Sequence, residues 1–260
     1  MARDFRQHFR AEEGAFIDQV QDWLQQASGE YRPVLTDFAN PRQVYIAQTL
    51  VNQVDDVKLA HWGGYPRAEM QRLLFYPAYF EPTAADFNLA LLAVAYPVKF
   101  MELHHRQVMG TLIGEGLERT AFGDILRQEQ RFQVVVKQEL APFIRQEITH
   151  VGKARVKFVP VDFAAVLTPD VDWEPLQTTV ASLRLDAVVA AGFNYSRNRA
   201  KQTIEKGLVR VNWETIDRPD YELDEYDLLS VRHAGRLRLQ AVGNRNRKDK
   251  LRVEMAIVKA

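Results

Sequence analysis

The sequence contains no cysteine, which excludes a disulfide framework, a thiolate zinc site and a cysteine nucleophile. It also lacks a long hydrophobic run. The longest, Leu89 to Tyr96, is less than half of the roughly 20 residues that a membrane-spanning helix needs. The opening Met1-Ala-Arg-Asp-Phe-Arg has no apolar stretch of the signal-peptide kind. The expectation is a soluble, cytoplasmic protein. Net charge is absent too, with 34 basic residues against 34 acidic ones. Gly110, Gly114, Gly116 and Gly123 do not form a phosphate-binding or dinucleotide-binding turn. The six histidines (His8, His61, His104, His105, His150 and His233) supply no metal-ligand pair at helical spacing. No metal, cofactor or enzymatic activity is therefore expected.

What is present is ordinary globular composition, with 47% hydrophobic and 26% charged residues over 260 positions. That length suits two domains or three small ones. The balanced charge is unevenly placed. Ser182 to Ala260 carries 16 basic and 11 acidic residues, so the remainder is acidic by the same margin. Within that stretch Arg197 to Arg210 and Arg232 to Arg252 are basic, and Glu214 to Asp227 between them is acidic. Two basic stretches around an acidic loop suit either a polyanion-binding face or a solvated, mixed-charge surface.

Periodicity divides the chain further. Phe9, Phe16, Ile17, Val20, Trp23 and Leu24 recur at helical spacing until Ser28-Gly29. Thr36-Asp37 is expected to precede a second helix that carries Val44, Tyr45, Thr49 and Leu50. A strand over Val57 to Trp62, a short helix over Arg67 to Arg72 and a strand over Leu73 to Tyr76 follow. From Phe87 to Phe163 the order reads strand (Leu89 to Tyr96), helix (His104 to Ile113), two strands (Gly123 to Arg127, Phe132 to Val136), helix (Glu139 to His150) and strand (Ala154 to Val161). This α+β order predicts a ferredoxin-like domain. RNA-recognition-motif domains share that topology, but Arg131 to Lys137 offers only Phe132 and so lacks their stacking aromatics. The expected divisions are an N-terminal α/β segment over 1–82, the ferredoxin-like domain over 83–165, an acidic, proline-containing linker over 166–180 and a basic C-terminal domain over 181–260.

The C-terminal stretch has its own logic. A helix is expected from Leu183 to Ala191, stopped by Gly192. A second helix, Arg197 to Lys206, is expected with Ser196 as N-cap and Gly207 at its end. On a helical wheel Ala200 and Ile204 face inward, Arg197 and Lys201 share one flank, and Arg199 and Lys206 share the other. The cations suit phosphates, and Asn198, Gln202 and Asn212 suit sugars and bases. The alternative is a basic helix that merely faces water.

Arg184-Leu185-Asp186, Ala191-Gly192, Ser196-Arg197, Ala200-Lys201, Ile204, Gly207, Val209, Val211-Asn212 and Asp227-Leu-Leu-Ser-Val-Arg232 resemble the S-four (S4) RNA-binding domain. Trp213 stands where that domain usually has glycine. The resemblance implies RNA contacts from Arg184, Ser196, Arg197, Asn198, Arg199, Lys201, Gln202, Lys206, Asn212 and Arg232. Upstream, Thr36-Asp37-Phe38, Asn40-Pro41-Arg42, Gly63-Gly64-Tyr65, Ala68-Glu69, Lys99-Phe100, His104-His105-Arg106, Met109-Gly110, Gly116-Leu117-Glu118-Arg119 and Gly123-Asp124-Ile125 resemble the bacterial YlmH family. That resemblance implies a cytoplasmic RNA-binding protein that acts on the translation machinery, and a non-catalytic monomer is expected. Its partners would be large-subunit rRNA, peptidyl-tRNA and the factors of ribosome-associated quality control.

Secondary RNA contacts are expected at His105, Arg106, Arg236, Arg238, Arg245, Arg247 and Lys248, with a helix cap or a solvated hairpin as the plainer readings. Asp124 between Gly123 and Ile125 reads as a turn residue, with a general base as the alternative. The competing function classes are a division-site protein scaffold and an rRNA-modifying enzyme. For the latter, the Arg-Leu-Asp at 184–186 reads instead as the start of a helix.

Overall fold

The computed structural model describes residues 9–168 and 173–259. The chain forms two compact units that divide near residue 170. Of the expected linker residues, Pro169, Asp170 and Asp172 lie outside the described range.

The first unit begins with α1 (Gly14–Gly29), β1 (Val34–Ala39), α2 (Pro41–Val51), β2 (Val57–Trp62) and β3 (Gln71–Pro77). The strands form an antiparallel sheet in the order β1-β3-β2. α1 and α2 lay Ile17, Val20, Ile46, Ala47 and Leu50 against Leu73 and Phe75. The second helix starts later than Thr36-Asp37 suggests. Those residues belong to β1, where Val34, Thr36 and Phe38 are buried and Asp37 is exposed. The cap is Asn40, whose Oδ1 accepts from Gln43 N at 2.9 Å while Gln43 Oε1 accepts from Asn40 N, with Pro41 pre-set for the first turn. The short helix expected over Arg67 to Arg72 is absent. The amides of Glu69 and Met70 donate to Asp124 instead of to helical carbonyls.

The rest of this unit comprises β4 (Leu89–Ala95), α3 (His105–Gly114), β5 (Phe122–Gln128), β6 (Arg131–Lys137), α4 (Ala141–Glu147), β7 (His150–Val151), β8 (Ala154–Arg155) and β9 (Lys157–Val161). The main sheet runs β5-β6-β4-β9, antiparallel throughout, which is the ferredoxin-like order. Val108 and Leu112 of α3 and Ile144 of α4 pack against Leu92, Phe132, Val134 and Phe158. α4 is shorter than expected. It ends where Ile148 becomes extended, and the chain then doubles back through a small β7–β8 hairpin. Phe143 on this helix is exposed.

The opposite face of this sheet is also covered. On β6, Gln133, Val135 and Lys137 alternate with the core residues Phe132, Val134 and Val136. Val135 is fully buried. Gln133 donates to Ala165 O at 2.9 Å and accepts from Leu167 N at 2.7 Å, and Lys137 meets Asp37 at 2.6 Å. Gly123 lies so close to the Phe38 ring that an added Cβ would come within 2.7 Å of it. Asp124 is thus a buried strand residue, not a turn residue. It accepts from Tyr65 Oη at 2.6 Å, Glu69 N at 2.7 Å and Met70 N at 3.2 Å. Burial, and after it the Glu69 carboxylate, hold the Asp124 carboxyl above the usual carboxylate range. The family-like segments at 36–38, 63–69 and 123–125 therefore meet one another as an internal lock.

The second unit contains β10 (Glu174–Val180), α5 (Leu185–Phe193), α6 (Arg197–Glu205), β11 (Val209–Val211), β12 (Glu214–Thr215), β13 (Leu228–Val231), β14 (Gly235–Arg245) and β15 (Leu251–Lys259). Its antiparallel sheet has the order β10-β15-β14-β13-β11-β12. Residues 174–180, expected as linker, are the edge strand β10, paired along its length with β15. Thr178 and Val180 face inward while Gln177 and Thr179 are exposed, an alternation that the flanking prolines and acids obscured.

Candidate nucleic-acid interface

Two short helices and the loop between them build the candidate surface. α5 is largely buried. Gly192 does not stop it. This glycine sits inside the helix because a Cβ there would come within 2.2 Å of Leu237 Cδ1. The stop is Asn194, left-handed at φ 53°. Ser196 caps α6 as expected, its Oγ accepting from Arg199 N at 3.1 Å. Ala200 and Ile204 are fully buried against the sheet, and Gly207 follows the helix at φ 66°. Arg197, Asn198, Arg199, Lys201, Gln202 and Lys206 are all exposed.

Asp186, in the first turn of α5, organises one flank. It is 5% exposed and accepts Arg197 Nη2 at 2.8 Å and Arg184 at 3.3 Å. Burial would raise its pKa, but the two guanidiniums outweigh this and hold the carboxyl below the usual range. The Arg-Leu-Asp at 184–186 thus holds two predicted contact residues side by side, with Lys201 one turn further along α6. Lys201 pairs loosely with Glu205 at 3.7 Å, both well exposed. Arg199 of α6 lies over the ring of Tyr195, on the loop, at 3.7 Å, a stacking partner that the helical wheel does not reveal. Arg232 is exposed, and its amide donates to Leu208 O just beyond the α6 C-terminus.

Asn212 is engaged within its own turn. Its amide donates to Asp227 Oδ1 at 2.8 Å, and its Oδ1 accepts from Leu228 N at 3.0 Å. It ties the β11–β12 turn to β13. Asn212 and Trp213 both have positive φ, at 47° and 70°, the conformation of a two-residue hairpin turn that explains the usual glycine.

The secondary candidates divide. Arg236 and Arg238 are partly covered by the Trp173 ring, at 5.7 and 4.8 Å. That face of β14 is therefore less open than strand alternation implies. Arg247 and Lys248 are exposed at the tip of the β14–β15 hairpin. There Asn246 accepts from the amides of Lys248 and Lys250, and Arg245 donates to Asp249 O at 2.6 Å. His105 and Arg106 open α3, in the first unit, and are exposed. The capping there falls to Gln107, whose Oε1 accepts from His104 N at 2.8 Å. Among the described residues no group of three or more His, Asp or Glu side chains is placed to hold a metal ion, and no helix is long and apolar enough to cross a membrane.

A capped, cation-bearing helix pair on an antiparallel sheet defines the second unit as an S4-type RNA-binding domain. Residues 183–229 match the family model described as "S4 domain". Residues 12–80 match "YlmH, N-terminal", and residues 82–165 match "Putative RNA-binding domain in YlmH". The chain belongs to the YlmH family. It is 41% identical over 250 residues to "Ribosome-associated protein quality control protein P2" of Bacillus subtilis (strain 168), covering 96% of this chain and 97% of that one. It also resembles the solved structure "Cell division protein ylmH from Streptococcus pneumoniae", with a TM-score of 0.55 and 31% identity, covering 62% of this chain and 98% of that one.

Proposed function

We propose that this protein is a non-catalytic RNA-binding factor of the cytoplasm that binds rRNA of the large ribosomal subunit. Its substrate is a stalled subunit still carrying peptidyl-tRNA, and its role is to assist ribosome-associated quality control. The carrying observation is the α6 flank, where Arg184 and Arg197 converge on buried Asp186 beside exposed Lys201. Such a row of cations around a Ser-capped helix suits successive phosphates, while Asn198 and Gln202 remain exposed for sugar or base contacts. The role of the curated relative, as its name gives it, supports the ribosome as the setting. Asp186 is fully engaged by arginines, which supports the positioning reading of the Arg-Leu-Asp over a catalytic one. The protein acts as a monomer and needs no cofactor.

The test is co-sedimentation with isolated large subunits across a salt series, together with in-cell crosslinking and sequencing of the attached RNA. Strong salt dependence and enrichment of large-subunit rRNA are expected. Salt-insensitive association, or crosslinks without rRNA enrichment, overturns the proposal.

A further inference from the structure

The domain over 82–165 matches a family described as a putative RNA-binding domain, yet the sheet face on which RNA-recognition motifs stack bases is closed here by the chain itself. Gln133, Val135 and Lys137 are all engaged or buried on that face, and Asp124 is sealed under Tyr65 and the Glu69 and Met70 amides. An RNA contact by this domain has to lie elsewhere.

One end of the domain offers it. The loop between β4 and α3 carries Phe100, 86% exposed, the most exposed large hydrophobic residue of the described chain, next to exposed Val98 and Lys99. A phenylalanine so open to water gains nothing from the fold. The loop that holds it is nonetheless anchored. Tyr96 Oη donates to Gln130 O at 2.7 Å, Glu102 pairs with Arg127 at 3.4 Å, and Leu103 is buried. These contacts bring the Phe100 loop beside the β5–β6 turn with Arg127 and Arg131, and Arg106 follows at the start of α3. Residues 96–106 and 127–131 together hold four Lys or Arg against two carboxylates, and Arg127 already pairs with one of these, Glu102.

We infer that this end of the middle domain is a second RNA contact, in which Phe100 stacks on an unpaired base while Lys99, Arg106 and Arg131 meet the flanking phosphates. The observation that carries it is the conjunction of a closed sheet face with an anchored, exposed aromatic on a cation-rich end of the domain. The partner that fits is a single-stranded or looped RNA segment. A duplex keeps its bases stacked, and an apolar protein pocket would not call for the surplus of cations. The inference rests on the RNA-binding reading above and adds to it a contact site outside the S4 domain.

The experiment uses the full-length protein and isolated large ribosomal subunits. Ultraviolet crosslinking and mass spectrometry should find a nucleotide adduct on the peptide containing Phe100. Phe100→Ala should weaken binding about 5-fold to 150-fold, the range for loss of one base–aromatic stack. Arg106→Glu with Arg131→Glu should flatten the salt dependence by about one logarithmic unit per lost phosphate contact. All three positions are exposed, so circular dichroism should show the parent fold. Parent-like affinity of both variants, or an adduct to a ribosomal protein in place of a nucleotide, overturns the inference. A Lys201→Glu, Lys206→Glu variant run in parallel separates the two readings. If it loses binding while neither middle-domain variant does, only this inference fails. If it too binds as the parent does, the S4 reading fails.

Discussion

The first unit and the S4-type helix pair of the second dispose of their polar side chains in opposite ways. The first turns them inward. Asp124 satisfies Tyr65 and two backbone amides, Arg72 donates to Thr36 O, Phe87 O and Asn88 O, and Arg42 meets Glu13 at 2.8 Å. The helix pair buries its anchor, Asp186, and leaves the cations that it orients at the surface. A buried charge with its partners holds pieces of chain together. A buried carboxylate that holds exposed arginines prepares a surface for an anion. Shared topology with an RNA-binding fold therefore says little until the partners of the polar groups on the relevant face are counted.

The sharpest way to break this contrast is on α6. Ala200→Glu would bury a carboxylate at a fully buried position, and its cost of several kcal/mol should unfold the second unit and abolish RNA binding. Loss of its circular dichroism signal in the full-length protein, with the first unit's unfolding transition retained, is the expected result. Lys201→Glu with Lys206→Glu should leave the fold intact, because both side chains are exposed. Affinity for large subunits should drop by about tenfold or more, with a salt slope flatter by about two units. Arg197 is unsuitable for such a reversal. A glutamate there would face buried Asp186 and confound binding with stability.

On the other side of the comparison, Asp124→Ala should destabilise the first unit by about 2–4 kcal/mol, since it strands a buried hydroxyl and two amides. Affinity for RNA, measured on the folded variant, should be unchanged. Denaturant unfolding of the full chain reads the first effect and co-sedimentation the second. Gly192→Ala should cost the second unit about 1–3 kcal/mol through its clash with Leu237. The smallest effect is in pH. Asp186 has a folded-state pKa below its unfolded value, so its contribution is present above about pH 4 and lost as pH falls through the folded value. Asp124, with a raised folded-state pKa, shifts stability the other way: its folded form is favoured at low pH, and the advantage is lost as pH rises through that pKa. Asp186→Asn should therefore narrow the stability difference between neutral and acid pH, whereas Asp124→Asn should widen it. Unfolding free energies at the two pH values decide both.

Much of this was legible from residue order alone. The strand and helix succession of the middle domain, the Ser196 cap, the inward faces of Ala200 and Ile204 and the left-handed Gly207 follow from local periodicity and backbone sterics, which act over a few residues. Where reading by neighbours went astray, a distant partner intervened. Thr36 and Asp37 look like a cap but lie in a strand completed by β3. Gly192 looks like a helix stop but is excluded from having a Cβ by Leu237, 45 positions later. Residues 174–180 look like linker until β15, at the far end of the chain, pairs with them.

The same division holds for function. The sequence by itself determined the charge asymmetry, the capped basic helix and the motif order that places the chain among S4-containing YlmH relatives, because each depends on residue type and short spacing. Tertiary structure alone decided that Asp186 aligns Arg184 with Arg197, that Asn212 serves its own turn, that Trp173 covers Arg236 and Arg238, and that the ferredoxin-like sheet is closed while Phe100 is left open. Burial and hydrogen-bond partnership are properties of pairs brought together across the chain, and no local pattern of residues encodes which partner arrives.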